Sequence, residues 1–149
     1  MASYENGDLV LFDYATFEQL DVSTLFKGFP LLYFDYSSQL NVGIAACSEV
    51  EMKRFSIDHH NKLIITLIEE DIKLTNPGVN CIRFRQVDSR ILASAGWDSR
   101  IRIYSGKKTR LLCVLDFHKE AVNVLDFSNE NILVAGSNDG LISFWNLYN

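Results

Sequence analysis

The chain has 149 residues, of which 48% are hydrophobic and 12% are aromatic. This composition is too apolar for a disordered chain and indicates a folded module with a substantial core. The formal net charge of −5 disfavours nucleic-acid partners, because the chain as a whole lacks the attraction to phosphate that marks such proteins.

Strands are the elements that the sequence predicts along its whole length. Leu9–Phe12, Leu63–Ile68, Ile101–Tyr104 and Leu111–Leu115 are rich in β-branched and aromatic residues. Helical periodicity is hard to find in any segment. The sequence therefore predicts an all-β protein.

Cysteine usage and the N-terminal residues predict the compartment. Cys47, Cys81 and Cys113 are odd in number, lie in apolar runs and lack metal-ligand spacing. Residues 1–5 lack the basic and apolar character of a secretory leader. The longest apolar run, residues 63–68, is too short to cross a bilayer. We expect a cytoplasmic or nuclear protein that has no membrane partner.

An internal repeat is the strongest pattern in the sequence. Ile91–Tyr104 aligns with Ile132–Trp145 as an apolar strand, small residues, an Asp in a tight turn, an alternating strand and an aromatic residue. Weaker copies occupy residues 2–13 and 45–55. The aromatic residues that close the four copies are separated by 43, 49 and 41 residues: Phe12, Phe55, Tyr104 and Trp145. This spacing is close to that of WD-repeat propeller blades.

The repeat predicts a WD-repeat β-propeller that is incomplete, with about fourteen strands in about three and a half four-stranded blades. Residues 1–26 would end one blade, 27–70 form a degenerate blade, 71–116 a WD blade, and 117–149 the last blade without its outer strand. We expect the chain to be the C-terminal portion of a longer protein. Its unpaired blade edges would favour association with other chains.

The last blade resembles the WD-repeat family in its polar residues. In that family a His before the first strand, a Ser or Thr in the second, an Asp in the next turn and an aromatic residue in the third form a buried hydrogen-bonded set. His118, Asp139 and Trp145 match three of these places. Ala135 stands where the hydroxyl would be.

The preceding blade matches the same pattern in a different subset of places. Ser94 and Asp98 match, whereas Tyr104 replaces Trp and Thr75 replaces His. The resemblance implies a structural role for each of these side chains.

Several strings resemble a narrower group of WD proteins. Tyr4–Gly7, Leu74–Gly78, Ile91–Asp98 and Ile142–Tyr148 are similar to the C-terminal half of guanine nucleotide-binding protein beta-subunit-like 1 proteins, relatives of the yeast ASTRA-associated WD protein. The resemblance implies a non-enzymatic scaffold without a cofactor, linked to assembly or stability of phosphatidylinositol-3-kinase-like kinases and to chromatin-associated complexes. It implies no GTP binding, since a phosphate-cradling Gly-Lys-Ser/Thr loop is missing.

Two alternatives involve chemistry rather than scaffolding. His118, Asp139 and Ser137 could form a catalytic triad, but the first two occupy structural places of the repeat and no Gly-x-Ser-x-Gly elbow occurs. Residues 58–60, Asp-His-His, could suggest a metal site, but no second ligand cluster stands at workable spacing. We therefore predict neither a catalytic site, nor a small-molecule substrate, nor a metal site.

Two classes of function remain: a scaffold that binds proteins, and a module whose basic loops Arg83–Arg90 and Gly106–Arg110 contact nucleic acid. The net acidity favours the scaffold.

A candidate partner-binding set lies in the turns: Trp97, Thr75, Asn76 and Arg100. Trp97 is unusual because the matching turn of the last blade holds Asn138, and Trp is enriched among interface hot spots. Its ring could instead cover a neighbouring loop or the stem of Arg100.

Overall fold

The computed structural model describes residues 1–59, 62–129 and 131–147, and this part of the chain is built from fourteen β-strands. In chain order they are β1 (Ala2–Ser3), β2 (Asp8–Phe12), β3 (Gln19–Thr24), β4 (Tyr33–Ser37), β5 (Val42–Ala46), β6 (Glu51–Asp58), β7 (Ile64–Lys73), β8 (Val79–Phe84), β9 (Ile91–Gly96), β10 (Arg100–Ser105), β11 (Leu111–Asp116), β12 (Val122–Phe127), β13 (Ile132–Ser137) and β14 (Ile142–Asn146). The described residues contain no helix long and apolar enough to cross a membrane.

The strands form four antiparallel sheets in which each strand pairs with the next one along the chain. The sheets are β1-β2-β3, β4 to β7, β8 to β11 and β12-β13-β14. Tight turns join the strands, as at Gly7 and Gly140, whose φ angles of 87° and 80° favour glycine. The all-β prediction is confirmed, and each sheet is a meander of the kind that forms a propeller blade.

Alternation along a strand decides which neighbouring sheet each side chain contacts. On β10, Ile101 and Ile103 belong to the cluster shared with the fourth sheet. Tyr104 belongs to the cluster shared with the second sheet. All three are at most 2% exposed. An internal sheet is thus buried on both faces, which explains why its strands are apolar along most of their length.

The two end sheets leave the array open. Leu9 and Leu11 of the first sheet pack on the second sheet, while the opposite face of the first sheet has no neighbouring sheet in the described part of the chain. The outer face of the fourth sheet likewise remains exposed at Ile142 and Phe144. The prediction of an incomplete propeller is confirmed, and the free faces show why the sheets do not close.

Candidate protein-interaction site

A buried histidine organises the polar set of the fourth sheet. His118 lies before β12, with Nδ1 3.1 Å from Asp139 Oδ2 and Nε2 2.8 Å from Ser143 Oγ. The Trp145 indole N–H donates to the same Ser143 oxygen over 2.8 Å. This geometry fits a proton on Nδ1 that is donated to Asp139, while Nε2 accepts the Ser143 hydroxyl proton.

Ser143 is the member of this set that sequence analysis missed. It lies on β14 directly opposite Ala135 of β13, the residue at the expected place of the hydroxyl. The hydroxyl therefore enters the set from the third strand of the blade and not from the second. The available signal was the pairing of the two strands, which brings these positions together.

Asp139 joins this set to two backbone segments. Its carboxylate accepts the N–H of Lys119 and of Leu141, each over 2.9 Å. Burial acts to raise the pKa of Asp139, but these two bonds and the His118 ring outweigh it and lower the pKa to about 2. Asp139 is thus an ionised tie between the loop before β12 and the turn before β14.

The third sheet holds a different polar set at the same place. Arg102 of β10 donates to Asp98 Oδ1 from Nη1 over 3.0 Å and to Asp98 Oδ2 from Nη2 over 2.5 Å. Nη2 also donates to Thr75 Oγ1 over 3.0 Å, and the Asn76 amide donates to Asp98 over 2.9 Å. Arg102 and Asp98 are both largely buried. The guanidinium therefore connects the turn before β10 to the loop before β8.

The two polar sets differ in which position, loop or strand, holds the longer side chain. In the repeat register, Thr75 stands at the place of His118, and Arg102 stands at the place of Ser143. A long loop residue meets a short strand residue in the fourth sheet, and the reverse holds in the third. In both sets the pair reaches the aspartate of the turn, Asp98 in the third sheet and Asp139 in the fourth.

Ser94 and Tyr104 lie on the inner side of this second set. Ser94 is buried on β9 opposite Arg102. Tyr104 is buried against the second sheet, and this burial raises the pKa of its hydroxyl. Both side chains therefore lie in the interior, between the second and third sheets.

Trp97 lies above this interior, in the turn between β9 and β10. Its ring covers Gly78 so closely that a Cβ on that glycine would fall 2.1 Å from the ring. Its indole N–H donates to Asn80 Oδ1 over 2.6 Å. The side chain nevertheless remains 45% exposed. Trp97 is held in one orientation and presents part of its surface to solvent.

A chain of amide side chains continues from Trp97 to the next sheet. Asn80 donates to Asn123 Oδ1 over 2.9 Å, and Asn123 donates to Asn138 Oδ1 over 2.5 Å. Asn80 and Asn123 occupy the same place in consecutive repeats, as Trp97 and Asn138 do. That equivalence was the signal that sequence analysis did not use. The third and fourth sheets thus share one polar surface around Trp97.

The four predicted partner-binding residues fall in different surroundings. Trp97 belongs to this surface, whereas Thr75 and Asn76 are engaged in the polar set beneath it. Arg100 forms an ion pair with Asp116 over 3.6 Å and lines, with Thr75, a groove of about 860 Å³ between the second and third sheets. Trp97 is the member that combines exposure with a fixed position.

The structure disfavours the catalytic alternative, because the serine hydroxyls and the His118 ring nitrogens are already engaged in hydrogen bonds within the protein. Ser137 donates its hydroxyl proton to the Glu120 carbonyl over 3.0 Å, and both ring nitrogens of His118 are occupied by Asp139 and Ser143. Ser143, His118 and Asp139 do follow the order of a catalytic triad. However, Ser143 is buried and its oxygen accepts the Trp145 N–H. The arrangement is therefore a structural tie.

One of the two basic segments that could contact nucleic acid, Arg83–Arg90, has carboxylates beside its arginines. Arg85 is buried, pairs with Asp88 over 2.8 Å and donates to the Leu147 carbonyl over 3.2 Å. Arg90 approaches the same Asp88 at 3.8 Å, and Arg83 approaches Asp126 at 3.9 Å. The three guanidiniums share two carboxylates, those of Asp88 and Asp126, so most but not all of the positive charge of this segment is paired within the fold.

The predicted alternative metal site is only partly covered by the structure. Asp58 and His59 are exposed at the end of β6, and His60 lies outside the described residues. No group of three or more ligating side chains that could hold a metal occurs among the residues described.

Comparison with known proteins adds independent findings. The model of the family "WD domain, G-beta repeat" matches residues 69–105 and 109–146. A mouse protein, guanine nucleotide-binding protein subunit beta-like protein 1, is 34% identical over 148 residues, which are 99% of this chain and 44% of the mouse protein. ASTRA-associated protein 1 of Schizosaccharomyces japonicus is 41% identical over 80 residues, 53% of this chain and 22% of that protein.

The structural comparison agrees with the fold. The solved structure of the computationally designed Ika4 protein matches with a TM-score of 0.72 at 19% identity, covering 95% of this chain and 80% of that one. This likeness concerns the fold alone. The chain spans less than half the length of the curated relatives named above.

Proposed function

The chain belongs to the WD-repeat family, and we propose from this that it is a non-enzymatic scaffold that binds other proteins through Trp97 and the loops around it. The observation that carries the proposal is the state of Trp97, which is 45% exposed and fixed by Gly78 and Asn80. Tryptophan supplies a large contact area and is enriched at interface hot spots. A side chain that is already ordered loses little conformational entropy on binding.

The polar sets support a scaffold rather than an enzyme. His118, Asp139 and Arg102 have the chemistry of catalytic groups, yet each is hydrogen-bonded within its own blade and shielded from solvent. Arg102 holds Asp98, next to Trp97, and connects it to Thr75, while Asp139 holds the equivalent loops of the fourth sheet. Rigid loops on a rigid sheet are the usual basis of a binding surface.

The relatives suggest the setting of this scaffold. One relative is named as ASTRA-associated, and the similarity supports a role for this chain in a multiprotein complex. We extend the proposal to assembly or stability of phosphatidylinositol-3-kinase-like kinase or chromatin-associated complexes, in the cytoplasm or nucleus. The partners would be proteins, without a small-molecule substrate or a membrane.

A salt titration distinguishes this proposal from binding to nucleic acid. We expect weak binding of the chain to duplex DNA, because the chain is acidic overall and the arginines of the segment Arg83–Arg90 lie beside Asp88 and Asp126. A protein that contacts many phosphates loses about 10³–10⁵-fold in affinity between about 50 and 200 mM salt. Fluorescence anisotropy with labelled DNA measures this slope directly.

Affinity capture of the tagged chain, with and without nuclease treatment, provides the second arm of the test. Partners that stay bound after nuclease treatment and at the higher salt concentration support the proposal. Tight DNA binding with a steep salt slope, together with loss of all captured proteins after nuclease treatment, would establish the nucleic-acid alternative.

A further inference from the structure

The outer strand of the third sheet has an unprotected edge. This sheet lies inside the array, between the second and fourth sheets, and the backbone groups of β11 that point away from β10 have no backbone partner among the described residues. The segment Leu111–Leu115 of β11 is apolar and holds no charged residue. The other outer strands differ, since β3 carries Asp21 and β7 carries Glu70 and Asp71. Because charges on an edge strand oppose pairing with another chain, β11 is the outer strand that remains open to it.

The groove of about 860 Å³ between the second and third sheets runs along this strand. At the preceding junction β3 packs on β7, whereas β7 and β11 have no comparable contact among the residues described. The pairing of β7 with β6 shifts between Ile68 and Ile72, so β7 bulges beside the groove. Leu111 and Val114 line the groove and are 49% and 42% exposed. The third sheet therefore presents an apolar wall that the second sheet does not cover.

A basic turn lies at the start of β11. Its three basic side chains are exposed, and none of them forms an ion pair in the part of the chain that the structure describes: Lys107, Lys108 and Arg110. Lys108 lines the groove together with Glu70, but the Glu70 carboxylate is already paired with Arg54 over 3.2 Å. This end of the groove is therefore complementary to an acidic group of a partner.

The surroundings of this turn favour a polypeptide over a nucleic acid. The turn belongs to the second basic segment that could contact nucleic acid, Gly106–Arg110. Beyond it, however, one wall of the groove is apolar and the other carries Glu70 and Asp71. A phosphate backbone has a negative charge at every step and would meet both carboxylates. A polypeptide can place acidic side chains at one end and apolar side chains along the rest.

We propose that β11 binds an extended segment of a partner protein as a fifth strand of the third sheet. The segment has alternating apolar side chains and an acidic C-terminal end. Main-chain hydrogen bonds to the free edge supply affinity, and alternate side chains enter the groove beside Leu111 and Val114. The segment runs antiparallel to β11, the more stable pairing, which brings its acidic end to Lys107 and Lys108. This site is separate from the surface around Trp97 and does not rest on the function of that surface.

A synthetic peptide tests the proposal on the whole chain. The probe is a short peptide of alternating valine and serine residues that ends in two glutamates and carries a fluorescent label at its other end. Fluorescence anisotropy should show saturable binding, and the same peptide ending in two lysines should bind about 10-fold more weakly or less. The proposal is wrong if the glutamate peptide does not bind, or if the two peptides bind equally.

A lysine on the apolar wall tests where the peptide binds. Val114→Lys should weaken binding of the glutamate peptide by about 10-fold or more, because lysine on an edge strand opposes pairing. Val22→Lys is the matched control, since Val22 holds the same place on β3 in the repeat register and is 40% exposed. The control should bind as the native chain does. Equal affinities of the two variants would contradict binding at β11.

Hydrogen exchange identifies the strand that pairs and needs no variant. The amide groups of Leu111–Asp116 should exchange more slowly when the glutamate peptide is bound, because edge pairing replaces their bonds to water. The amide groups of β3 and β7 should exchange at unchanged rates. Bound peptide without added protection at β11, or with protection of another outer strand instead, would overturn the proposal.

The basic turn supplies the last test. A double variant with Lys107→Ala and Lys108→Ala should bind the glutamate peptide about 10-fold more weakly. If this variant binds the peptide as well as the native chain does but loses affinity for a labelled DNA duplex, the turn is a nucleic-acid contact and the proposal is wrong.

Discussion

Replacing Arg102 with alanine is expected to lower the free energy of unfolding by about 3–5 kcal/mol, the usual cost of removing one partner of a buried ion pair. Arg102 donates hydrogen bonds to both Asp98 and Thr75 in the polar set of the third sheet. Its loss removes these donors from the Asp98 carboxylate and the Thr75 hydroxyl. Arg102 and Asp98 are only 7% and 13% exposed at their side chains, so water cannot fully replace the guanidinium. Urea unfolding monitored by tryptophan fluorescence measures the loss.

Arg100→Ala is the matched control for this substitution. Arg100 lies on the same strand and also pairs with an aspartate, but its bond to Asp116 is 3.6 Å long and well exposed. Exposed ion pairs contribute about 0–1 kcal/mol, so this variant should be nearly as stable as the native chain. Equal losses in the two variants would contradict the buried role of Arg102.

Acid titration adds a second readout for the Arg102 variant. Burial raises the pKa of Asp98, but the hydrogen bonds from Arg102 and Asn76 outweigh it and hold the pKa below the ordinary 3.8. A carboxyl with a lowered folded-state pKa stabilises the protein above about 3.8, and this contribution is lost as the pH falls further. The difference between the native chain and Arg102→Ala should therefore shrink below pH 3.8.

Gly7→Ala is expected to be the second strongly destabilising change, by about 3 kcal/mol or more. Gly7 has a φ of 87°, and a Cβ there would lie 1.8 Å from the Phe26 carbonyl oxygen. The Gly7 carbonyl also accepts the N–H of Leu25 and of Phe26, so the backbone cannot shift without breaking these bonds. Thermal unfolding should show a clear drop in Tm.

Gly140→Ala separates the two causes. Gly140 has a similar φ of 80°, but no atom lies within 4 Å of the position that a Cβ would occupy. This variant bears only the backbone strain, about 1 kcal/mol. If Gly7→Ala were no worse than Gly140→Ala, the close packing at Gly7 would be wrong.

The strands and the repeat could be predicted from the sequence because both are visible as patterns of residue type along the chain. Apolar runs mark the strands, and the spacing of Phe12, Phe55, Tyr104 and Trp145 marks the blades. The exposure of the outer face of the fourth sheet also fits this repeat, because the equivalent residues of the third sheet, Ile101 and Ile103, are buried by their contacts with the fourth sheet.

The composition of the polar sets could not be predicted in the same way. Comparison of single positions with the WD-repeat pattern finds no hydroxyl at Ala135 and a threonine in place of the histidine at Thr75. In the structure Ser143, on the strand paired with Ala135, supplies the missing hydroxyl, and Arg102 of β10 reaches Thr75 in the loop before β8. Which position of the blade supplies a hydrogen-bonding group depends on three-dimensional packing. The repeat pattern alone does not distinguish these positions.

The surroundings of Trp97 depend on contacts between blades. Its orientation results from Gly78 and Asn80, and Asn80 is in turn bound to Asn123 of the next sheet. The sequence places these residues up to 43 positions apart, so their convergence follows only from the stacking of blades. The sequence therefore marks Trp97 as unusual, but the contacts that hold its ring could not be predicted from it.

If Trp97 forms the partner-binding surface, its removal must change the dissociation constant of a captured partner. Isothermal titration with Trp97→Ala should show a loss of about 2 kcal/mol or more, a weakening of roughly 30-fold. Tyr14→Ala is the control, since Tyr14 is an exposed aromatic residue in the β2–β3 turn, at the opposite end of the strands. Its dissociation constant should match that of the native chain. A Trp97→Ala chain that folds normally and binds the partner with an unchanged dissociation constant would contradict a partner-binding role of Trp97.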